Sequence, residues 1–315
     1  MKNRSTILAG LTALLLVFGG VACSGAPDAA PKSGTKADDS AGSYPVEIKD
    51  DTGIEVTVKE EPKRIVSLIP SMTEIVYALD RGDRVVGVTT NDDYPKEVEK
   101  VEKVGDMKVN AEKVVSLEPD LVLASPMNGE DTIEKLRDLG LTVIAFEPQN
   151  LKAVYEKIRQ VGKAIHAEEE AEKTVKEMKE EQKLAEKIAS QVPEDEQVKV
   201  WLEVSPDLHT GGDGTFMDQL ITMAGGENVA GKEKDWVQVS EEKVVQWNPD
   251  VILFTHGDRE SIQSRSGWNK VNALKEERVE ALDTNRVSRP GPRITQGLLN
   301  ISKALYPDHY KKVMQ

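Results

Sequence analysis

RIVSLIPSMTEIVYALDRGDRVVGV, residues Arg64 to Val88, reads as one supersecondary unit. Arg64 to Ile69 is a short apolar run rich in β-branched residues, the pattern of a buried strand. Pro70 ends it. Ser71 stands three residues before Glu74, the spacing of a capping box at a helix start. Ile75, Val76, Ala78 and Leu79 give that helix its apolar side chains, and Gly82 supplies a residue able to take positive φ where it stops. Arg84 to Val88 is a second apolar strand. Strand, helix and strand in so short a stretch predict a right-handed crossover and a parallel sheet. The helix N-terminus then faces the carboxyl end of the sheet, where folds of this kind bind ligands.

The 315 residues leave room for two domains. A net charge of −14 argues against a nucleic-acid partner. Aromatic residues make up 4% of the chain, so each tryptophan is informative. One cysteine excludes an internal disulfide. Lys2 and Arg4 precede an uncharged apolar run from Ile7 to Ala22, short for a membrane span, so residues 1–22 read as a signal peptide. The run ends Gly20-Val21-Ala22-Cys23, which resembles a bacterial lipobox with Cys23 lipidated, although leucine is commoner at the place of Gly20. The alternative is an ordinary signal peptide and a stray cysteine. Residues 23–43 are mostly Ala, Gly, Pro, Ser, Asp and Lys, with almost nothing to bury, and predict a flexible tether.

Val46 to Val58 alternates around Asp50-Asp51-Thr52-Gly53 and predicts a β-hairpin. After the opening unit, Thr89 to Pro95 and Val104 to Val109 read as loops at strand ends. Asn110 is a good N-cap for a helix from Ala111 to Glu118. Pro119-Asp120 breaks that helix before a strand from Leu121 to Ala124. A helix from Thr132 to Leu139, stopped by Gly140, and a strand from Leu141 to Phe146 follow. The alternation places the chain in the α/β class. Leu151, Val154, Tyr155, Ile158, Val161 and Ile165 mark an amphipathic helix that closes a first lobe, residues 44–166. A second helix, Glu168 to Ala189, occupies most of residues 167–190. At ~1.5 Å per residue its roughly 22 residues span about 33 Å, enough for a rigid strut.

Beyond the strut, residues 191–315 repeat what came before it. VNAEKVVSLEPDLVLAS, Val109 to Ser125, matches VSEEKVVQWNPDVILFT, Val239 to Thr255, position for position. Val198 to Val204 matches the strand at Arg64, and Thr215 caps a helix ending at Gly225-Gly226. Two copies make a duplicated lobe and not a solenoid. Two α/β lobes with facing strand ends enclose a cleft.

A search for catalytic patterns finds no G-x-S-x-G, H-E-x-x-H, C-x-x-C or P-loop. Gly211-Gly212-Asp213-Gly214 lacks the Lys-Ser/Thr of a phosphate loop and reads as a turn before a helix. His166, His209, His256 and His309 are too scattered for a metal site, and no resident metal or cofactor is expected. Candidate ligand contacts therefore lie in loops at strand ends: Asn91 and Tyr94, with Asp92 and Asp93, Met107, His209, Trp236, His256, Arg289 and Arg293. Trp236 ranks first, because an aromatic beside a cleft suits a flat apolar ligand. Trp201 and Trp247, on a strand and a helix, read as core. Glu112 and Glu242 occupy equivalent places in the two repeats, in the first turn of each helix, where a carboxylate complements the helix dipole.

Nearly the whole chain from Val46 to Pro307 resembles the helical-backbone substrate-binding proteins of ABC importers, those for cobalamin, ferric siderophores and haem. The resemblance rests on RIVSLIPSMTEIVYAL, GDRVVGVT, DDYP, KVVSLEPDLVLAS, GGENVA, WVQVSEEKVV and RPGPRI. DDYP and the SMTE helix are most similar to the cobalamin branch. The resemblance implies two Rossmann-like lobes joined by one long helix, with the ligand between them. It implies a lipoprotein held outside the cytoplasm that delivers its ligand to a permease dimer with ATPase subunits. Trp236 matches the second-lobe tryptophan of the cobalamin-binding member. Met107, Asn91 and His209 depart from that member's Trp, Tyr and Phe, and Arg289 and Arg293 match its Arg-containing motif near the cleft. Glu112 and Glu242 match the carboxylates that family members present to the permease. The ligand would bring its own cobalt or iron. Ferric siderophore or haem is the alternative ligand, and an enzyme or sensor on the same scaffold is the remote one.

Overall fold

The computed structural model describes residues 44–106 and 108–315. The signal-peptide and tether segments, Cys23 and Met107 lie outside the described residues. The first lobe is built on five parallel strands in the spatial order Glu102–Lys103, Val85–Val88, Ile65–Ser67, Leu121–Ala124, Val143–Ala145. The order reverses between Ile65–Ser67 and Leu121–Ala124, which is the topological switch point of a doubly wound sheet. These strands are apolar on both faces because helices cover both. Ile65, Leu121 and Leu123 pack on one side, and Val66, Val122 and Ala124 on the other.

The second lobe repeats this plan with four parallel strands in the order Glu227–Asn228, Lys199–Glu203, Val251–Phe254, Val279–Ala281. Beside it His209–Gly211 pairs antiparallel with Trp236–Gln238. The recurring Pro-Asp does more than break a helix. The Asp120 carboxylate accepts the backbone N–H groups of Lys63 and Arg64 at 2.8 and 2.9 Å. Asp250 accepts that of Lys199 at 3.0 Å. In each lobe the motif fastens the amino ends of the two central strands together.

The expected hairpin forms between Val46–Lys49 and Glu55–Val58. Its turn needs Gly53 at φ +84°. Asp50, buried at the turn, receives the N–H of Thr52 and of Ala145 and pairs with Arg137 at 2.5 Å. That network sews the hairpin to the edge of the first sheet. The strut is the helix Glu168–Ala189, and its buried residues are Ala171, Val175, Met178, Ala185 and Ile188. It packs between Leu151–Ile165 and Ile294–Leu305.

Two readings change. The opening helix runs Pro70–Ala78 with Ile69 as its N-cap, and no side chain caps it. Pro70 at the first helical position lacks the N–H that would otherwise go unpaired, so no capping box is needed. Glu74 is thereby free for another partner. At the other end of that helix it is Asp80, at φ 54°, and not Gly82, that takes the left-handed conformation.

Candidate functional site

Three adjacent strands of the first lobe end at one cleft. Ile69 to Ser71 follow the strand Ile65–Ser67, Ser125 to Met127 follow Leu121–Ala124, and Phe146 to Pro148 follow Val143–Ala145. The second lobe contributes Gly214 to Met217, Asp235, Trp236 and the segment Val287 to Ile294. Two cavities of about 360 and 210 Å³ share Met127, Glu147, Pro148, Ser288 and Pro290, so they form one continuous groove. Together they fall within the size range of small-molecule sites, and they lie at the switch point where such folds bind. Trp236 is 54% exposed and Met127 59% exposed. Large apolar side chains left this open are informative when they converge, and these two come from opposite lobes.

Behind the groove the lobes are tied by a buried ion-pair cluster. Glu74, 3% exposed, receives Arg293 through Nε at 2.8 Å and Nη2 at 2.6 Å. Arg289 Nη1 lies 3.0 Å from the same carboxylate and 2.6 Å from Asp93 Oδ1. Arg289 Nη2 also donates to the Asn91 carbonyl at 3.1 Å, and Asn285 donates to Asp93 at 2.9 Å. The Arg293 guanidinium stacks on the Tyr94 ring at 3.8 Å. Its hydrogen bond to Glu74 holds its pKa above the ordinary value. Burial lifts the Asp93 carboxyl, but Arg289, together with Asn285 and Arg293, outweighs it and the pKa is lowered. Neighbouring Asp92 is raised by burial, against the hydrogen bonds from Thr73 and Thr89.

Asn91, Tyr94, Arg289 and Arg293 are thus brought together, in this latch. Trp236 lies in the groove, and Arg289 touches both features. His209 stands apart, with Nδ1 2.9 Å from Asp207 Oδ1. His256 Nε2 lies 2.9 Å from Glu203, a fully buried carboxylate that Arg265 grips at 2.6 Å through both Nη atoms. Met127 and Glu147 were missed as groove residues. The signal was available, because both stand just past the carboxyl ends of predicted strands. Behind the latch lies a larger cavity of about 460 Å³, lined by Glu74, Glu97, Glu177, Glu181, Tyr94 and Arg293. It rests against the strut through Thr174, Glu177, Met178 and Glu181, and with four carboxylates on its wall it is the weaker candidate.

Glu112 and Glu242 are exposed at the second positions of the helices Ala111–Ser116 and Glu241–Trp247, capped by Asn110 and Ser240. A hydrogen bond from Ser240 lowers the pKa of Glu242. Lys113 pairs with Glu102 in the first lobe and Lys243 with Glu233 in the second, so the two surfaces correspond. Among the described residues no cluster of three or more His, Cys, Asp or Glu is placed to hold a metal ion. Nor is any helix there long and apolar enough to cross a membrane.

A family model for periplasmic binding proteins matches residues 65–285. A Bacillus subtilis protein described as an uncharacterised ABC transporter substrate-binding lipoprotein is 44% identical, covering 99% of this chain and 100% of its own. A cobalamin-binding protein of Halobacterium salinarum is 31% identical over 85% of this chain and 76% of its own. Among solved structures, a possible iron-binding, periplasmic solute-binding protein of Staphylococcus epidermidis is 36% identical. It superposes with a TM-score of 0.68 and covers 78% of this chain and 100% of that one.

Proposed function

We propose, from the premise that the chain belongs to the periplasmic binding protein family and is the substrate-binding component of an ABC transporter, that it captures cobalamin or a related corrinoid. The observation that carries this reading is the pair Trp236 and Met127, open apolar side chains from opposite lobes lining one cavity. A broad ring between them covers both. Glu74 and Asp93 already neutralise Arg289 and Arg293, so the latch leaves no free cation for the carboxylates of a haem. The cobalamin-binding relative supports the assignment. The iron-binding description of the Staphylococcus epidermidis structure favours a ferric siderophore or haem as the second reading. Cobalt or iron would arrive with the ligand and not as a resident cofactor.

Within this reading Asn91, Tyr94, Arg289 and Arg293 hold the cleft at its working width. Each ligand class is coloured, so titrating the protein with cyanocobalamin, haemin and a ferric hydroxamate, followed by absorption and tryptophan fluorescence, tests the assignment. Trp236→Ala should weaken corrinoid binding about tenfold, about 1.4 kcal/mol. Binding of haemin or the hydroxamate without cyanocobalamin moves the assignment to the second reading.

The lipid is placed on Cys23, and a two-chain anchor holds where a single chain, with an association constant of about 10⁴ M⁻¹, would not. Cys23→Ser should release the protein from membranes, and unchanged retention on fractionation counts against the anchor. Glu112 and Glu242 are proposed to meet the permease dimer, one per lobe, and to orient docking more than tighten it. Glu112→Arg with Glu242→Arg should abolish uptake while ligand titration stays unchanged. Normal uptake by that variant refutes the docking role.

A further inference from the structure

We infer that Glu147 and Asp235 set the charge selectivity of the groove, accepting hydrogen bonds from N–H donors on the ligand rim and turning anionic ligands away. The inference rests on the groove being the ligand site. One carboxylate comes from each lobe, and both line the same cavity as Met127 and Trp236.

Their backbones are held. Glu147 N–H donates to Asp51 Oδ2 at 2.8 Å, and its carbonyl accepts from Gln149 Nε2 at 3.1 Å. Asp235 sits in the left-handed region at φ 57°, with its N–H on the Asp213 carbonyl at 3.1 Å and its carbonyl accepting Gly212 N–H at 2.8 Å. Neither carboxylate forms an ion pair among the described residues. Lys234, next to Asp235 in sequence, pairs instead with Asp213.

The charge count decides the sign. Arg289 is the cation among the groove-lining residues, and Glu74 and Asp93 both hold it. Two helix N-termini, at Pro70 and Phe216, also reach the groove. Each offers about half a positive charge, and together they do not offset two whole carboxylates. Ionised carboxylates accept hydrogen bonds and donate none. They therefore favour a ring edged with carboxamides, such as a corrin, and oppose one edged with propionates, such as haem.

Ligand pairs that share a ring and differ in charge test this. Dicyanocobinamide should bind at least about tenfold tighter than dicyanocobyrinic acid, whose edge is carboxylate, and haemin dimethyl ester should bind tighter than haemin. In Glu147→Gln with Asp235→Asn, checked for unchanged circular dichroism and melting, both preferences should shrink by about tenfold. Equal binding within both pairs, no binding by any of the four, or preferences unchanged in the double variant overturns the inference. If corrins fail to bind but the haemin pair shows the preference and the variant erases it, the charge selectivity stands and the corrinoid assignment falls.

Discussion

Each lobe buries a carboxylate, and the two lobes treat it oppositely. In the second lobe Glu203 ends the strand Lys199–Glu203 and is held by Arg265, His256 and the Trp201 Nε1–H, all from that lobe. Arg265 in turn lies over the Trp268 ring at 4.6 Å. In the first lobe Glu74 is held by arginines 215 and 219 residues away, from the far side of the cleft. The chemistry is the same, a buried carboxylate with forked guanidinium donors. Its consequence differs. Glu203 ties a lobe to itself, and freeing it requires unfolding. Glu74 ties one lobe to the other, and a hinge motion is enough to admit water to it.

Removing one partner of a buried pair strands the other charge, at about 3–5 kcal/mol where water cannot follow. The comparison therefore breaks first at Arg265. Arg265→Met should cost about 4 kcal/mol in urea unfolding. The latch counterpart, Arg289→Ala with Arg293→Ala, should cost only about 2 kcal/mol, because the parting lobes resolvate Glu74. Small-angle scattering of that variant should show a larger radius of gyration, whereas Arg265→Met should leave the native radius unchanged. A larger stability loss at the latch than at Arg265 would erase the distinction.

A smaller effect tests the equivalence of the lobes. Asp120→Ala and Asp250→Ala should each cost about 1 kcal/mol, since Asp120 accepts two strand-end N–H groups and Asp250 accepts one together with the Asn272 amide. A large difference between them would show that the repeated motif does unequal work.

The smallest effect is a matched pair of titrations. Asp93, with its pKa below the ordinary 3.8, contributes stability that is complete above that value and is lost as pH falls through the lowered pKa. Asp92, raised by burial, behaves in reverse: its ionised form costs stability, and the cost is relieved as pH falls through the raised pKa. In carboxyl NMR titrations, Arg289→Ala should return Asp93 towards the ordinary value and leave Asp92 raised. A shift of both would mean that the loop moves as one body when the latch opens.

The lobes, the strut and the repeat were legible because each is a local pattern. Periodicity of two or three to four, caps such as Asn110 and Ser240, and the Pro-Asp pairs all act within a few residues. Ser71 and Glu74 show the limit. Their spacing matches a capping box, but a local rule cannot register two arginines more than 200 residues away that claim the same carboxylate. The same limit applies to Arg289 and Arg293, since sequence shows a cation near a cleft and not whether a partner across it already holds the charge. The place of Trp236 at the groove could be read from its position just before the second repeat. Met127 offers only its place just past a strand end, and its pairing with Trp236 shows once the opposite wall is in view.

The latch also bears on the order of events as the chain folds. Glu74 is made long before Arg289 and Arg293, and the first lobe must fold while that carboxylate still faces water. Domains generally fold as units from the amino end, so the first lobe closes around its own sheet with one charge left waiting. The bond across the cleft then forms last, when nearly all of the chain has emerged. A chain truncated before Arg289 still has the strut to join its lobes but lacks this bond across the cleft. The latch is therefore a signature of completion, and a protease that prefers open interlobe segments would remove the unfinished molecules first.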